Sequence, residues 1–164
     1  MAKHRVAVIA VLVAVVSSVT TLWAQSPMPY GAPISLDTAK KVATVALAEA
    51  AKNNWTIAVA VVDTGGNLVY YEKMDNTQLG SAKVSVNKAR SAALFKRPTK
   101  AFQDALASGG IGLRVLGIEG AVPVEGGVLL VADGKIIGAV GASGDTSEHD
   151  GQCATAAAAS MQKP

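Results

Sequence analysis

The chain has 164 residues, a formal net charge of +3 and 4% aromatic residues, which is enough for one domain without a strongly charged surface. No basic stripe runs along the sequence, so the composition argues against a nucleic-acid partner. The single cysteine excludes a disulfide within the chain.

The first 24 residues have the layout of a secretory signal peptide. Basic residues precede an apolar stretch at 6–16, and Ala24 lies at a plausible cleavage site. The apolar stretch is shorter than the roughly 20 residues that span a bilayer, although an uncleaved anchor is the alternative. We therefore expect export to the periplasm or the exterior and no membrane association after cleavage. A proline-rich linker is expected over 25–34, and a folded domain over 35–162.

The first half of the domain predicts a helix followed by a β-hairpin. Ser35 is a good helix N-cap, and apolar residues at helical spacing predict an amphipathic helix over 36–52. The β-branched run Trp55–Asp63 predicts a central strand. The turn sequence "DTGGN" and the segment "LVYYEK" that follows it predict the partner strand.

The second half predicts two further helices and a second hairpin. Residues 80–95 and 99–107 have helical patterns, whereas the glycine-interrupted segment 111–125 predicts a loop with a short strand near 121–124. Two strands then flank the dipeptide Asp133-Gly134, which is typical of a type I′ turn.

A last helix is expected from about Ser147 to Met161. The element order is then α-β-β-α-α-(β)-β-β-α. This order predicts an α+β fold, in which an antiparallel sheet of about five strands is covered by helices.

The stretch "GASGDTSEHDGQCA" at 141–154 contains the side chains best able to ligate a metal or act as an acid or base. Asp145, Thr146 and Ser147 are alternative N-caps for the last helix, and Glu148 and Asp150 complement its dipole. Capping therefore accounts for the acidic residues of this stretch, but it gives no structural reason for the histidine.

His149 and Cys153 are four residues apart, which places them on one face of a helix. Both are donors for soft metals, so the pair is a candidate metal site. A closed zinc site needs four ligands, and the domain has no other histidine or cysteine. A zinc site within one chain is therefore not predicted.

Three cations outside this stretch are candidate ligand-binding residues. Lys88 and Arg90 lie on the second predicted helix, where a solvent-exposed face is the simpler interpretation. Arg114 is a lone cation among apolar residues, and its guanidinium suits a carboxylate. The surrounding segment 109–117 is rich in glycine but lacks the patterns of a nucleotide-binding loop.

Three segments together resemble the GlcG/HbpS family, which includes the C-terminal half of PduO-type proteins. They are "AVVDTGGNLVYYEKMD", "GSAKVSVNKARSAALFKRPT" and "GGVLLVADGKIIGAVGASGDTSEHDGQCA". The resemblance covers about 35–161 and implies a profilin-like α+β domain that forms homo-oligomers, octamers among them. It also implies haem binding, as several members bind haem and exported members are associated with extracellular haem binding and redox sensing. Other members sit beside glycolate or diol metabolism.

A haem site needs an apolar slot, an axial donor to the iron and cations for the propionates. The candidate axial donors are His149, Cys153, Met74, Tyr70 and Tyr71. The candidate propionate partners are Lys88, Arg90 and Arg114. The sequence lacks C-x-x-C-H, so the haem would be bound non-covalently.

Three functions stay open. The leading one is an exported haem-binding protein for scavenging, storage or redox sensing. The second is an enzyme or accessory protein for a small hydroxy acid or aldehyde, with Arg114 holding the carboxylate and His149 as acid or base. The third is an oligomeric module that binds a protein partner. The resemblance assigns no catalytic residue, so a binding role for haem or another small molecule is favoured over an enzyme.

Overall fold

The computed structural model describes residues 28–162, and the predicted signal peptide at 1–24 lies outside them. Within 28–162 the chain forms four α-helices, two 3-10 helices and four β-strands. In chain order they are α1 (Leu36–Lys52), β1 (Ala58–Val62), β2 (Leu68–Lys73), α2 (Ser81–Phe95), α3 (Thr99–Ala107), a 3-10 segment (Gly110–Gly117), β3 (Gly127–Ala132), β4 (Lys135–Ser143), α4 (Ser147–Ala159) and a 3-10 turn (Ser160–Gln162).

The four strands form one antiparallel sheet in the order β2-β1-β4-β3. Helices α1 and α4 pack on one face of the sheet, and α2 packs on the other beside α3. The α+β prediction is confirmed. β1 is shorter than expected, because the Trp55 amide donates to Ala50 O and closes α1 instead of entering the sheet.

The prediction of a strand near 121–124 is wrong, and the described sheet has four strands rather than about five. The amide of Val122 donates to Ser91 Oγ on α2, and the amide of Ala121 donates to Ile118 O. Pro123 has no amide proton to give. These groups are therefore satisfied in a loop that lies against α2 rather than in a strand ladder.

The described end of the predicted linker lies against the sheet. Gly31 N donates to Ile136 O over 2.7 Å, and Ile136 N donates to Pro29 O over 2.9 Å. The hydroxyl of Tyr30 donates to Ala93 O on α2 over 2.8 Å. These bonds tie residues 29–31 to both β4 and α2.

Small residues allow α2 to approach the sheet closely. Alanines of α2 pack against Ala60, Val62 and Ala139 of the central strands. At Gly141 of β4 an added Cβ would collide with the α2 backbone at Ser85. The close contact of α2 with β4 therefore depends on glycine at this position.

The predicted type I′ turn is confirmed by its backbone. Asp133 has φ +49° and Gly134 has φ +70°, and this turn type needs positive φ at both central residues. The turn pairs Ala132 with Lys135 and Val131 with Ile136, and the register of β3 on β4 then shifts by one residue at Leu130. No helix among residues 28–162 is both long and apolar enough to cross a membrane.

Candidate functional site

One end of the sheet brings Trp55, Asp145 and His149 together. Trp55 precedes β1, and Asp145 follows β4. Because Ala58 pairs with Ser143, the segments just outside the two strands also run side by side. Gly144 makes this possible, since an added Cβ there would collide with the backbone at 56.

His149 is held in a defined orientation at this end. Its Nδ1 lies 2.7 Å from Asp145 Oδ1. Its ring stacks on Trp55, with 3.8 Å between ring centroids and 11° between planes. The side chain is 38% exposed. With Nδ1 protonated and donating to the carboxylate, Nε2 keeps its lone pair for a ligand.

The N-terminus of α4 fixes the Asp145 carboxylate. Thr146 is the N-cap, and its Oγ1 accepts the His149 amide over 3.3 Å. The Thr146 amide donates to Asp145 Oδ1 over 2.8 Å. This backbone bond, followed by the bond to His149, lowers the pKa of Asp145, so its carboxylate is charged and able to orient the imidazole.

Cys153 lies one helical turn after His149 but inside the core, where it packs with Ile57 and other residues under α1 and α4. Burial, with a smaller contribution from Asp150, raises the pKa of its thiol to about 12. The thiol is therefore neutral at pH 7, whereas metals and haem iron take the thiolate. Residues 28–162 contain no group of three or more His, Cys, Asp or Glu side chains that could hold a metal ion.

Lys88 lies inside the protein, where it forms a buried ion pair. Its Nζ is 2.7 Å from Asp150 Oδ2 and 3.2 Å from Ala142 O, and the two side chains are 1% and 3% exposed. Burial raises the pKa of Asp150, with Lys88 acting in the opposite direction. The ammonium is thus occupied within the fold and does not reach a ligand surface.

The two candidate arginines lie away from His149. Arg90 Nε donates to Gly66 O over 2.9 Å, at the opposite end of β1 from Trp55. Arg114 is in the 3-10 segment and lines a cleft of about 260 Å³ against α3. The Arg114 cleft contains none of the residues that surround His149, so the structure does not bring the predicted carboxylate clamp and acid or base together.

The other candidate axial donors are half-buried like His149, and one of them is hydrogen-bonded. Met74 packs at the border of the main core, although its amide bonds Ile57 O at the same end of the sheet as Trp55. The Tyr70 hydroxyl donates to Glu72 Oε2 over 2.6 Å, and this bond raises its pKa. Burial raises the pKa of Tyr71. Neither tyrosine is therefore set up to form a phenolate.

Sequence reasoning missed two long-range contacts in this region. The Lys88–Asp150 pair joins residues 62 apart, and the Trp55–His149 stack joins a strand entry to a helix start. The Asp145–His149 contact did have a local signal, because i and i+4 residues are neighbours on a helix surface.

A four-stranded antiparallel sheet between two helix layers, with a carboxylate-oriented histidine at one end, defines a small α+β domain. Residues 34–159 match the model of the family described as haem degrading protein HbpS-like. The chain belongs to this family, which confirms the resemblance seen in its sequence.

Three similar proteins illustrate the relationship. Protein GlcG of Escherichia coli strain K12 is 42% identical over 95 residues, which cover 58% of this chain and 69% of GlcG. The crystal structure of HbpS is 28% identical, with a TM-score of 0.72 over 80% of this chain and 92% of that one. The crystal structure of a PduOC:heme complex is 26% identical, with a TM-score of 0.69 over 77% of this chain and 94% of that one.

Proposed function

We propose that this chain binds haem non-covalently and that His149 supplies the axial nitrogen to the iron. The observation that carries the proposal is the arrangement of Asp145, His149 and Trp55. A carboxylate on Nδ1 fixes the ring and makes Nε2 a better donor, as it does for metal-bound histidines generally. Membership of the HbpS-like family and the similarity to a chain solved with heme support the choice of ligand.

The cysteine and tyrosine candidates are less suited to the iron than His149. A Cys153 thiol with a pKa of about 12 does not supply a thiolate at neutral pH. The raised pKa values of Tyr70 and Tyr71 disfavour a phenolate. His149 differs from these donors in having a ring that is oriented by a carboxylate and a side chain that is 38% exposed.

An optical titration tests this proposal. Hemin added to the mature protein should give a saturable Soret shift, and His149→Ala should weaken binding and remove the shift. Asp145→Asn should weaken binding by roughly tenfold to a hundredfold, because it removes the charged partner of the ligating ring. Gln152→Ala is the matched control, since Gln152 is exposed on the same helix and bonds Glu49 instead.

Two results would count against the proposal in different ways. A Soret shift that survives His149→Ala would keep haem but move the ligand to another side chain. No saturable shift in the wild-type chain would remove haem and favour the small-acid enzyme or the protein-partner module.

We also propose that the chain forms a homo-oligomer through the 3-10 segment. Ile111 is 78% exposed, Leu116 is 68% exposed, and Leu113 lies exposed between them. Large apolar side chains grouped on a surface mark an interaction site. Sedimentation should therefore give a multiple of the monomer mass, and Ile111→Ser with Leu116→Ser should shift it toward the monomer. An unchanged mass would place the interface elsewhere.

Export is a separate proposal that depends on residues 1–24. If they are a signal peptide, the protein recovered from the periplasm or medium should begin near residue 25. N-terminal sequencing distinguishes this from an uncleaved anchor, which would leave the intact chain in the membrane fraction.

A further inference from the structure

A second cleft lies on the outer side of α2, at the opposite end of β1 from Trp55. Its volume is about 390 Å³, which lies within the range of small-molecule sites. The cleft is lined by one face of α2 and by a short stretch of the loop before β3. The lining residues are Asn87, Arg90, Leu94, Gly120, Ala121 and Val122.

Arg90 is the only charged residue among those six, and its position is fixed. Its Nε donates to Gly66 O over 2.9 Å. Gly66 has φ +78°, a conformation that favours glycine and forms part of the turn after β1. None of the ion pairs within residues 28–162 includes Arg90, so the donors on its two Nη atoms are free of carboxylate partners.

The other walls of the cleft are mostly apolar and are held in place. The Val122 amide donates to Ser91 Oγ over 3.0 Å, which fixes the loop against α2. Leu94 is 50% exposed, and with Ala121 it offers an apolar surface beside the guanidinium. Asn87 adds a side-chain amide on the same helix face.

We propose that this cleft binds a small organic acid, with Arg90 pairing with the carboxylate and the apolar walls covering the carbon chain. A guanidinium presents parallel donors that match a carboxylate, and an arginine held by a backbone bond loses less freedom on binding. The site does not depend on haem at His149. A haem propionate shares the same chemistry, so the experiment must separate the two sources.

The test uses the straight-chain acids butyrate and hexanoate, followed by saturation-transfer NMR and calorimetric titration of the full mature protein. Affinity should rise roughly fourfold per methylene between the two acids as the chain covers apolar surface. Hexan-1-ol should bind far more weakly than hexanoate. Arg90→Met should weaken the affinity for hexanoate by roughly tenfold or more, because a charge-assisted hydrogen bond is lost.

Arg97→Met is the matched control. Arg97 is also exposed, and its Nε also donates to a backbone carbonyl, that of Phe95, but it lines the neighbouring cleft. It should leave hexanoate binding unchanged. Ala121→Leu narrows the cleft, so it should weaken the binding of hexanoate more than the binding of butyrate.

The proposal is overturned if hexan-1-ol binds as well as hexanoate, or if Arg90→Met and Arg97→Met behave alike. It is also overturned if hexanoate does not bind and Arg90→Met instead weakens hemin binding, since the carboxylate that pairs with Arg90 would then be a haem propionate. Hexanoate binding that survives His149→Ala supports it, and this result is independent of the haem proposal.

Discussion

Replacing Lys88 by methionine should destabilise the fold strongly at neutral pH. Methionine keeps most of the apolar stem but removes the ammonium that lies 2.7 Å from Asp150 Oδ2. The Asp150 side chain, 3% exposed, is then left charged in the core, with backbone amides as its remaining donors: that of Asp145 at 3.3 Å and that of Gly144. Breaking one partner of a buried pair typically costs about 3–5 kcal/mol, and we expect the loss to fall in this range.

The size of this loss should depend on pH. Burial already raises the pKa of Asp150 beside Lys88, and removal of the cation raises it further. A carboxyl whose folded pKa exceeds its unfolded value contributes stability that is present below the unfolded pKa and lost as the pH rises through the folded pKa. The penalty for Lys88→Met should therefore be large at pH 8 and smaller near pH 4.5.

Urea unfolding followed by circular dichroism at both pH values measures the effect. Lys83→Met is the control, because Lys83 is exposed on the same helix and surface changes usually stay within about 0.5 kcal/mol. Adding Asp150→Asn to Lys88→Met should recover part of the lost stability at pH 8, since both charges are then gone. A penalty that is equal at both pH values, or no larger than that of the control, would refute this reasoning.

Three further predictions concern the fold around the site. Gly141→Ala should lower the free energy of unfolding by about 1–3 kcal/mol, since its Cβ would meet the α2 backbone at Ser85 and Ala89; an unchanged urea midpoint would show that α2 can move away. Thr146→Ala should lower the free energy of unfolding by about 1 kcal/mol because the N-cap is lost. Thr146→Ser should keep most of the wild-type stability, and thermal unfolding distinguishes the two variants. Cys153 should resist iodoacetamide in the native protein and react after urea unfolding, whereas rapid native labelling would contradict its burial.

Elements with strong local signals were predictable from the sequence. The bounds of α1 follow from Ser35, whose side chain accepts the Thr38 amide, and from the spacing of the buried alanines and Val42. The β3–β4 turn follows from the dipeptide Asp133-Gly134, because glycine and aspartate tolerate the positive φ that this turn needs. These features depend on residues within a few positions of one another.

Features that depend on distant residues were not predictable in the same way. Lys88 looks like a surface lysine until α4 supplies Asp150 from 62 residues away. The strand expected near 121–124 fails because the Val122 amide finds Ser91 on a preceding helix. Residue type alone identifies the candidate haem residues, and the fold spreads them over both faces of the sheet, so that His149 is the donor with a carboxylate-oriented ring.

The most direct test of the central claim is pulsed electron paramagnetic resonance of the ferric haem complex, prepared from untagged mature protein labelled with ¹⁵N-histidine. His149 is the only histidine beyond the predicted signal peptide, so the label reports on one side chain. We expect a ¹⁵N hyperfine coupling to the iron that replaces the ¹⁴N coupling of the axial imidazole, while the couplings of the haem's own nitrogens stay the same. A saturated haem complex whose nitrogen couplings do not change with the label would contradict axial ligation by His149.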